Sequence, residues 1–319
     1  MKARLALACV AVLGTSIVAG AAPGATGAGA SGPAVASCAR GASDPAPPPA
    51  SASSEPAYDE DLDLDVAEPD FNVVDLSTNL RVPRHTLAFR LTHRFGRPLG
   101  AGSFEDLLAD FFGFDGGAQI GLGLRFGLFR GTQVGIYRTS DRTIQVAAQH
   151  ELLRDGPRRV GLSVVASVEG LDNLGLSAAP APPPVHEFSP SVALVVSKKL
   201  GARGAVYVVP AWVGNTRINP SAPGTDEHTL VLGLGARVRL TKTMAVVGEY
   251  HPRLAGYKGD RGSGDPKSLA TFGIEWRVGG HAFQINASND LGTTPSQIAR
   301  GQQGPDDWFI GFNLSRKFF

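Results

Sequence analysis

From Arg84 to the C-terminus, apolar residues alternate with small or polar ones in run after run, and this two-residue period is the strongest constraint on what the chain can become. In "GAQIGLGLRFG", Ile120, Leu122, Leu124 and Phe126 share one face, and Gln119, Gly121, Gly123 and Arg125 the other. "RVGLSVVASV" and "TLVLGLGARVRL" repeat the pattern. Alternation sustained over about eight to twelve residues predicts long strands with one apolar face. Twelve such segments are expected, at roughly 84–95, 118–128, 132–140, 142–153, 159–169, 189–199, 203–214, 229–240, 243–252, 268–279, 281–289 and 307–318. The weakest is 203–214, where "AVYVVPAWV" is apolar on both faces and Pro210 removes a ladder donor.

The connections sort these strands into an order. Even-numbered connections are about five residues or fewer, and all odd-numbered ones but the third are about fourteen or more. An up-and-down meander with its long loops at one end produces that rhythm; a Greek-key sandwich does not. Strands of this length match the roughly 9–11 residues that cross a bilayer at a tilt. In hydrocarbon every backbone polar group must be paired, so such a sheet has to close and lose its edges. The expected fold is therefore all-β: one up-and-down antiparallel transmembrane β-barrel of about 12 strands, with long outer loops and short periplasmic turns. Its apolar face meets lipid, while Gly, Ser, Thr, Gln and Arg point inward. The alternative is a soluble periplasmic β protein holding an apolar ligand. Aromatics near the strand ends (Phe95, Tyr137, Tyr250 and Trp308 above; Phe126, Trp276, Phe283 and Phe318 below) suggest interfacial girdles and favour the membrane.

Ahead of the barrel the composition changes. Lys2 and Arg4 precede an apolar run from Leu5 to about Ala22, the layout of a secretory signal peptide over 1–30, although an uncleaved anchor has a similar pattern. Residues 31–79, rich in Pro, Ala and acids, are expected to be a disordered linker before a barrel domain at 80–319. Cys38, in "VASC", is a possible lipidation site, set far behind the apolar run. Asp61, Asp63 and Asp65 imitate a calcium loop, but Val66 stands where glycine is needed and Asn72 where glutamate is needed. Export to the outer membrane of a Gram-negative envelope follows, with outer-membrane lipid and the barrel-assembly machinery as partners. A net charge of +1 gives no reason to expect nucleic acid, and the oligomeric state is open.

Three groups of residues are candidates for function. "SFEDLLADFF" places Phe104, Leu107, Leu108, Phe111 and Phe112 at helical spacing in the first long loop. This helix could constrict the barrel mouth or lie on an apolar surface outside it. Second, the inward phase gives lumen-lining Arg90, Arg125, Arg159, Arg237, Arg239 and Arg277, with Lys317, against Glu151, Glu249 and Glu275. Arg237 is placed to pair diagonally with Glu249. The surplus of positive charge suggests a lumen with weak anion preference, and the alternative is a salt-bridge network that rigidifies a narrow barrel. Third, the seven histidines are scattered, with no metal-ligand spacing, no "GxSxG" and no phosphate loop. No catalytic residue, metal or cofactor is expected, and the chain is not read as an enzyme.

"RHTLAFRLTHRFG", "FFGFDGGAQIGLGLRFGL" and "TQVGIYRTSDRTIQ" carry a resemblance over about residues 75–319. The chain resembles a bacterial β-barrel family known only as domain of unknown function 5777. The resemblance implies a membrane-associated barrel and supplies no catalytic residues. From the residues themselves, the best functional reading is a passive, porin-like channel for a small solute. The alternatives are a closed structural or docking barrel, or the soluble ligand-binding form.

The last strand makes the first prediction. Ile310, Phe312 and Leu314 run in phase with Phe318, interrupted by Arg316, whereas Phe319 falls in phase with Lys317, Ser315 and Asn313 on the lumen face. Phe318 is thus the expected assembly signal. Phe318→Ala should lower the yield of heat-modifiable barrel in outer membranes more than deletion of Phe319 does; an equal or reversed loss contradicts this register.

Overall fold

The computed structural model describes residues 67–113, 116–156, 158–171, 188–217, 227–258, 266–302 and 307–319. Twelve antiparallel strands close into one up-and-down barrel. They are β1 Leu87–Phe95, β2 Ala118–Phe129, β3 Thr132–Thr139, β4 Thr143–Leu153, β5 Gly161–Leu171, β6 Phe188–Lys199, β7 Gly204–Val213, β8 Thr229–Arg239, β9 Met244–His251, β10 Leu269–Val278, β11 His281–Ser288 and β12 Phe309–Lys317. A short stretch, Arg253–Ala255, continues β9 beyond Pro252 along the same neighbour, β8. Each strand pairs with the next in sequence, and β12 returns to β1 with Leu91 opposite Leu314, so no edge remains. Among the described residues no helix is long and apolar enough to cross a membrane.

All twelve segments expected from the alternation are strands, with ends shifted by three residues or fewer. The outer face is the apolar one: Leu122, Leu124, Ile136, Val146, Val192, Leu230, Val246 and Ile285 are all exposed there. Both ends of the barrel, the start of β1 and the end of β12, lie at the short-turn rim, where Phe318 N–H donates to Leu87 O at 3.0 Å. Pro210 sits in β7, and the β6–β7 register skips from Ala193↔Ala211 to Val196↔Val208 around it.

The lumen is not empty. Residues 67–79, expected within the disordered linker, lie inside the barrel instead, and with the residues up to Val82 they form a plug. Asn72 bridges Ser77, Val73 N–H donates to Leu76 O at 2.8 Å, and Thr78 N–H donates to Phe71 O at 2.9 Å, which makes a tight hairpin. Val73, Val74 and Leu76 are buried against Val195, Ala205, Tyr207, Val209 and Val247 of the wall. Phe71 and Val82 pack with Ala88, Leu80 and Phe319 nearer the short-turn rim. Each such side chain removed from water contributes about 1.5–3 kcal/mol, enough to order a segment whose charge alone suggested disorder. The plug also explains β7. Its inward Ala205, Tyr207 and Val209 are apolar because they meet an apolar plug and not water.

Two close approaches account for inward glycines. A Cβ at Gly121 would fall on the ring and hydroxyl of Tyr137, which points inward and not into an interfacial girdle. Cβ atoms at Gly233 and Gly235 would meet Leu76 Cδ1 and Cδ2, the second at 2.6 Å. The glycines of β8 therefore form the seat of the plug.

Two short helices lie in the long loops among the described residues: α1 Phe104–Ala109, between β1 and β2, and α2 Pro295–Arg300, between β11 and β12. Gly233→Val should unseat Leu76 at an overpacking cost of about 1–3 kcal/mol, or roughly fivefold to 150-fold in plug opening. Trypsin should then cleave after Arg81 correspondingly faster while heat-modifiable mobility is kept. Unchanged cleavage would show that Leu76 does not hold the plug.

Candidate functional site

The site is the charged interior where plug and wall meet. The tip of the plug, Val74 to Leu76, presents three successive backbone N–H groups to Glu249 of β9. The carboxylate accepts from Val74 at 2.9 Å, from Asp75 at 3.0 Å and from Leu76 at 2.9 Å. His251 Nε2 lies 3.2 Å from the same carboxylate. Beside it, Asp75 bridges two arginines of β1, Arg94 at 2.9 Å and Arg90 at 3.1 Å, and Arg90 also donates to Val74 O. Arg94 is fully buried and donates its other terminal nitrogen to Asn313 at 2.9 Å. Arg237 makes a two-pronged contact with Glu275, at 3.1 and 2.9 Å, and reaches Asn72 O at 3.0 Å.

Polar wall side chains hold the plug's backbone along its length. Gln284 donates to Val73 O at 2.8 Å, Gln149 to Thr78 O at 2.8 Å, and Gln133 accepts from Val82 N–H at 2.8 Å. Near the short-turn rim, Ser315 donates to Asp70 at 2.7 Å and Lys317 lies 3.8 Å from it. Glu68 accepts from Asn79 N–H at 2.9 Å and faces Lys199 at 4.0 Å. The arms of the hairpin thus enter and leave at one rim, and its tip reaches toward the other.

At the long-loop end α2 closes the mouth from inside, with Ser296, Ile298 and Ala299 buried. Buried Glu169 of β5 accepts from Thr294 Oγ1 at 2.6 Å, Ser296 N–H at 3.0 Å and the Ser296 hydroxyl. Tyr137 donates to Thr293 at 2.9 Å, and Arg253 donates to Ala299 O at 2.8 Å. A cavity of about 150 Å³ remains between plug and α2.

Residues 70–318 match the family model described as a membrane bound beta barrel domain (DUF5777). The chain belongs to this family. The family protein is similar to several solved barrels at low identity. The KdgM porin in complex with disordered oligogalacturonate is 7% identical, with 73% of this chain and 99% of that one covered at a TM-score of 0.41. An outer membrane channel from Pseudomonas putida F1 is 10% identical, with 75% and 97% covered at 0.43. LpxR from Salmonella typhimurium is 14% identical, with 73% and 100% covered at 0.35. No curated protein matches the sequence.

Of the residues expected to line the lumen, Arg90, Arg125, Arg237, Glu249 and Glu275 do so. Arg159 does not: it is exposed in the β4–β5 connection, paired with Gly156. Arg239 is turned to the short-turn rim, donating to the Thr241 and Ala202 carbonyls at 2.8 and 3.0 Å. Arg277 is half-buried near the same rim. The expected Arg237–Glu249 pair is not made, because the plug's amides occupy Glu249 and Glu275 takes Arg237. The positive surplus is also smaller than the wall suggests, since Glu68, Asp70 and Asp75 of the plug add negative charge.

The first-loop helix forms, with Ser103 and Asp106 as a capping box, and the Ser103 N–H and hydroxyl hold the Asp106 carboxyl below its ordinary range. It does not constrict the lumen. No residue of α1 is buried, and Phe104, Leu108 and Phe111 are 66%, 49% and 65% exposed, with Leu107 and Phe112 only half-buried. The mouth is narrowed by α2 instead. Phe318 faces outward with the Arg316 guanidinium 5.2 Å from its ring, while Phe319 packs inward beside Phe71. Cys38 lies outside the described residues. No group of three or more His, Cys, Asp or Glu side chains among the described residues could hold a metal ion.

Sequence reasoning missed Arg94, the plug and the Glu169–α2 clasp. "FNVVDL" at 71–76 carried a signal, an apolar cluster inside an acidic tract. Glu249→Gln should weaken charge-assisted bonds contributing about 1.5–3 kcal/mol. Backbone amides of Val74, Asp75 and Leu76 should then exchange with deuterium roughly tenfold to a hundredfold faster. Unchanged exchange would show that Glu249 does not anchor the tip.

Proposed function

We propose that this protein is an outer-membrane channel for small solutes, closed in the described conformation by its own hairpin plug. The observation that carries this reading is the hairpin itself: it fills the lumen, yet both arms lie at one rim. A segment with that topology can leave without being threaded through the barrel. Its polar contacts are hydrogen bonds and ion pairs and its apolar ones are with side chains of the wall, all of which stay within the barrel, so withdrawal unmasks a largely polar passage and needs no rearrangement of the strands. Transport is passive in this reading and involves no catalytic step.

Weak anion preference follows from the same contacts. When Glu68, Asp70 and Asp75 leave with the plug, the wall keeps Arg90, Arg94, Arg125, Arg237 and Lys317 against Glu169, Glu249 and Glu275. An excess of fixed positive charge favours anions in a narrow pore. The second reading, a permanently closed structural barrel, is favoured by the buried Asp75 and Glu275 ion pairs, since breaking such a pair costs about 3–5 kcal/mol.

Planar-bilayer conductance separates the two. The full chain should be silent for most of the time, while deletion of 67–82, or Asp75→Asn combined with Glu249→Gln, should give stepwise conductance with a reversal potential displaced toward anions. Folded barrels that stay silent in both variants would establish the structural reading, and cation preference would overturn the selectivity.

A further inference from the structure

The chamber between plug and α2 has two unlike walls. Strands β1 to β4 supply Arg90, Arg125, Tyr137 and Gln145, whereas β5 to β8 supply small apolar side chains, among them Val165, Ala193, Ala211 and Val213. Leu76 of the plug and Ile298 of α2 also line it. Most polar groups on the first wall are engaged by the protein. Tyr137 bonds Thr92 and Thr293, and Gln145 bonds Ser167. Arg90 faces Asp75.

Arg125 is different. Among the described residues its guanidinium makes one hydrogen bond, to the neutral Asn72 Oδ1 at 2.8 Å, and stacks 5.5 Å from the Phe71 ring centroid. Among the described residues no carboxylate lies within ion-pair distance of it; the acid that acts on it through space, Asp70 of the plug, is held by Ser315 and Lys317, and Asp75 is shared by Arg90 and Arg94. A buried cation whose nearby acids are engaged by other partners is unfavourable unless a ligand supplies a direct counter-ion. A guanidinium offers five donors in a planar fork that suits a carboxylate. The remaining volume indicates size, because a cavity of about 150 Å³ with apolar walls accepts a benzene-sized body.

We propose that the chamber binds a small organic carboxylate with a compact apolar or aromatic body, its carboxylate on Arg125 and its body against the Ala193–Ala211–Val213 wall. The site belongs to the closed conformation and stands whether or not the plug ever withdraws.

Equilibrium binding of 4-fluorobenzoate and of its neutral counterpart 4-fluorobenzamide to the full chain in non-ionic micelles, followed by fluorine NMR and corrected for empty micelles, tests this directly. The acid should saturate at one molecule per barrel, and the amide should bind at least tenfold more weakly. Arg125→Gln should weaken the acid at least tenfold, and Ala211→Leu, which fills the apolar wall, should remove binding of the acid; Arg239→Gln, at the rim, should change nothing. Heat-modifiable mobility identifies variants that retain the barrel, and the acid–amide comparison needs no variant. Equal binding of acid and amide, acid uptake no greater than that of micelles alone, or a folded Arg125→Gln barrel that binds normally would each overturn the proposal.

Discussion

Closure of the sheet is the constraint from which the rest of the structure follows. A strand protein in hydrocarbon cannot leave a row of N–H and C=O groups unpaired, so β12 must return to β1. Closure places one side of every strand against lipid and the other in a shared interior. The outer side becomes mostly apolar, and the inner side collects most of the arginine, glutamine and glutamate side chains that lipid would reject. A narrow interior filled with such groups is unstable while they are unpaired. The plug answers that problem with acids, apolar side chains and its own backbone.

The match between plug and wall works at each of these levels. Asp75 meets two arginines, Asp70 meets Ser315 and Lys317, and the tip's amides meet Glu249. Leu76 occupies space left by the glycines of β8, and Val73 and Val74 share a cluster with Ala205, Tyr207 and Val209 of β7, whose sequence is apolar on both faces. The acidic and apolar residues of 67–82 therefore have a common explanation as the complement of the lumen. A spacer would need neither Phe71 nor Leu76. At the opposite mouth α2 relies on the same device, a buried carboxylate at backbone and hydroxyl donors, with Glu169 in the role of Glu249.

Strands were legible because their signal is local: alternation survives in any window, and a bilayer fixes both its length and the meaning of its faces. The weak segment at 203–214 was informative for the same reason, since its second apolar face implied an apolar neighbour inside the barrel. Pairings within the lumen were not legible. Arg237 stands near both Glu249 and Glu275, and phase cannot choose between them; the plug chooses by occupying Glu249. Helical spacing in "FEDLLA" correctly gave α1, but amphipathicity does not say which surface receives the apolar side, and the structure leaves it exposed.

By itself, the sequence determined a closed, lipid-facing barrel of twelve strands and the outward setting of Phe318, because these depend on a period of two and on the cost of unpaired backbone in hydrocarbon. Only the tertiary structure decided that the lumen is filled, that α2 and not α1 closes the mouth, and that Arg125 is left without a direct ion pair. Those outcomes depend on contacts between residues up to 245 positions apart, such as Asp70 with Ser315, and such contacts leave no periodic trace in the chain.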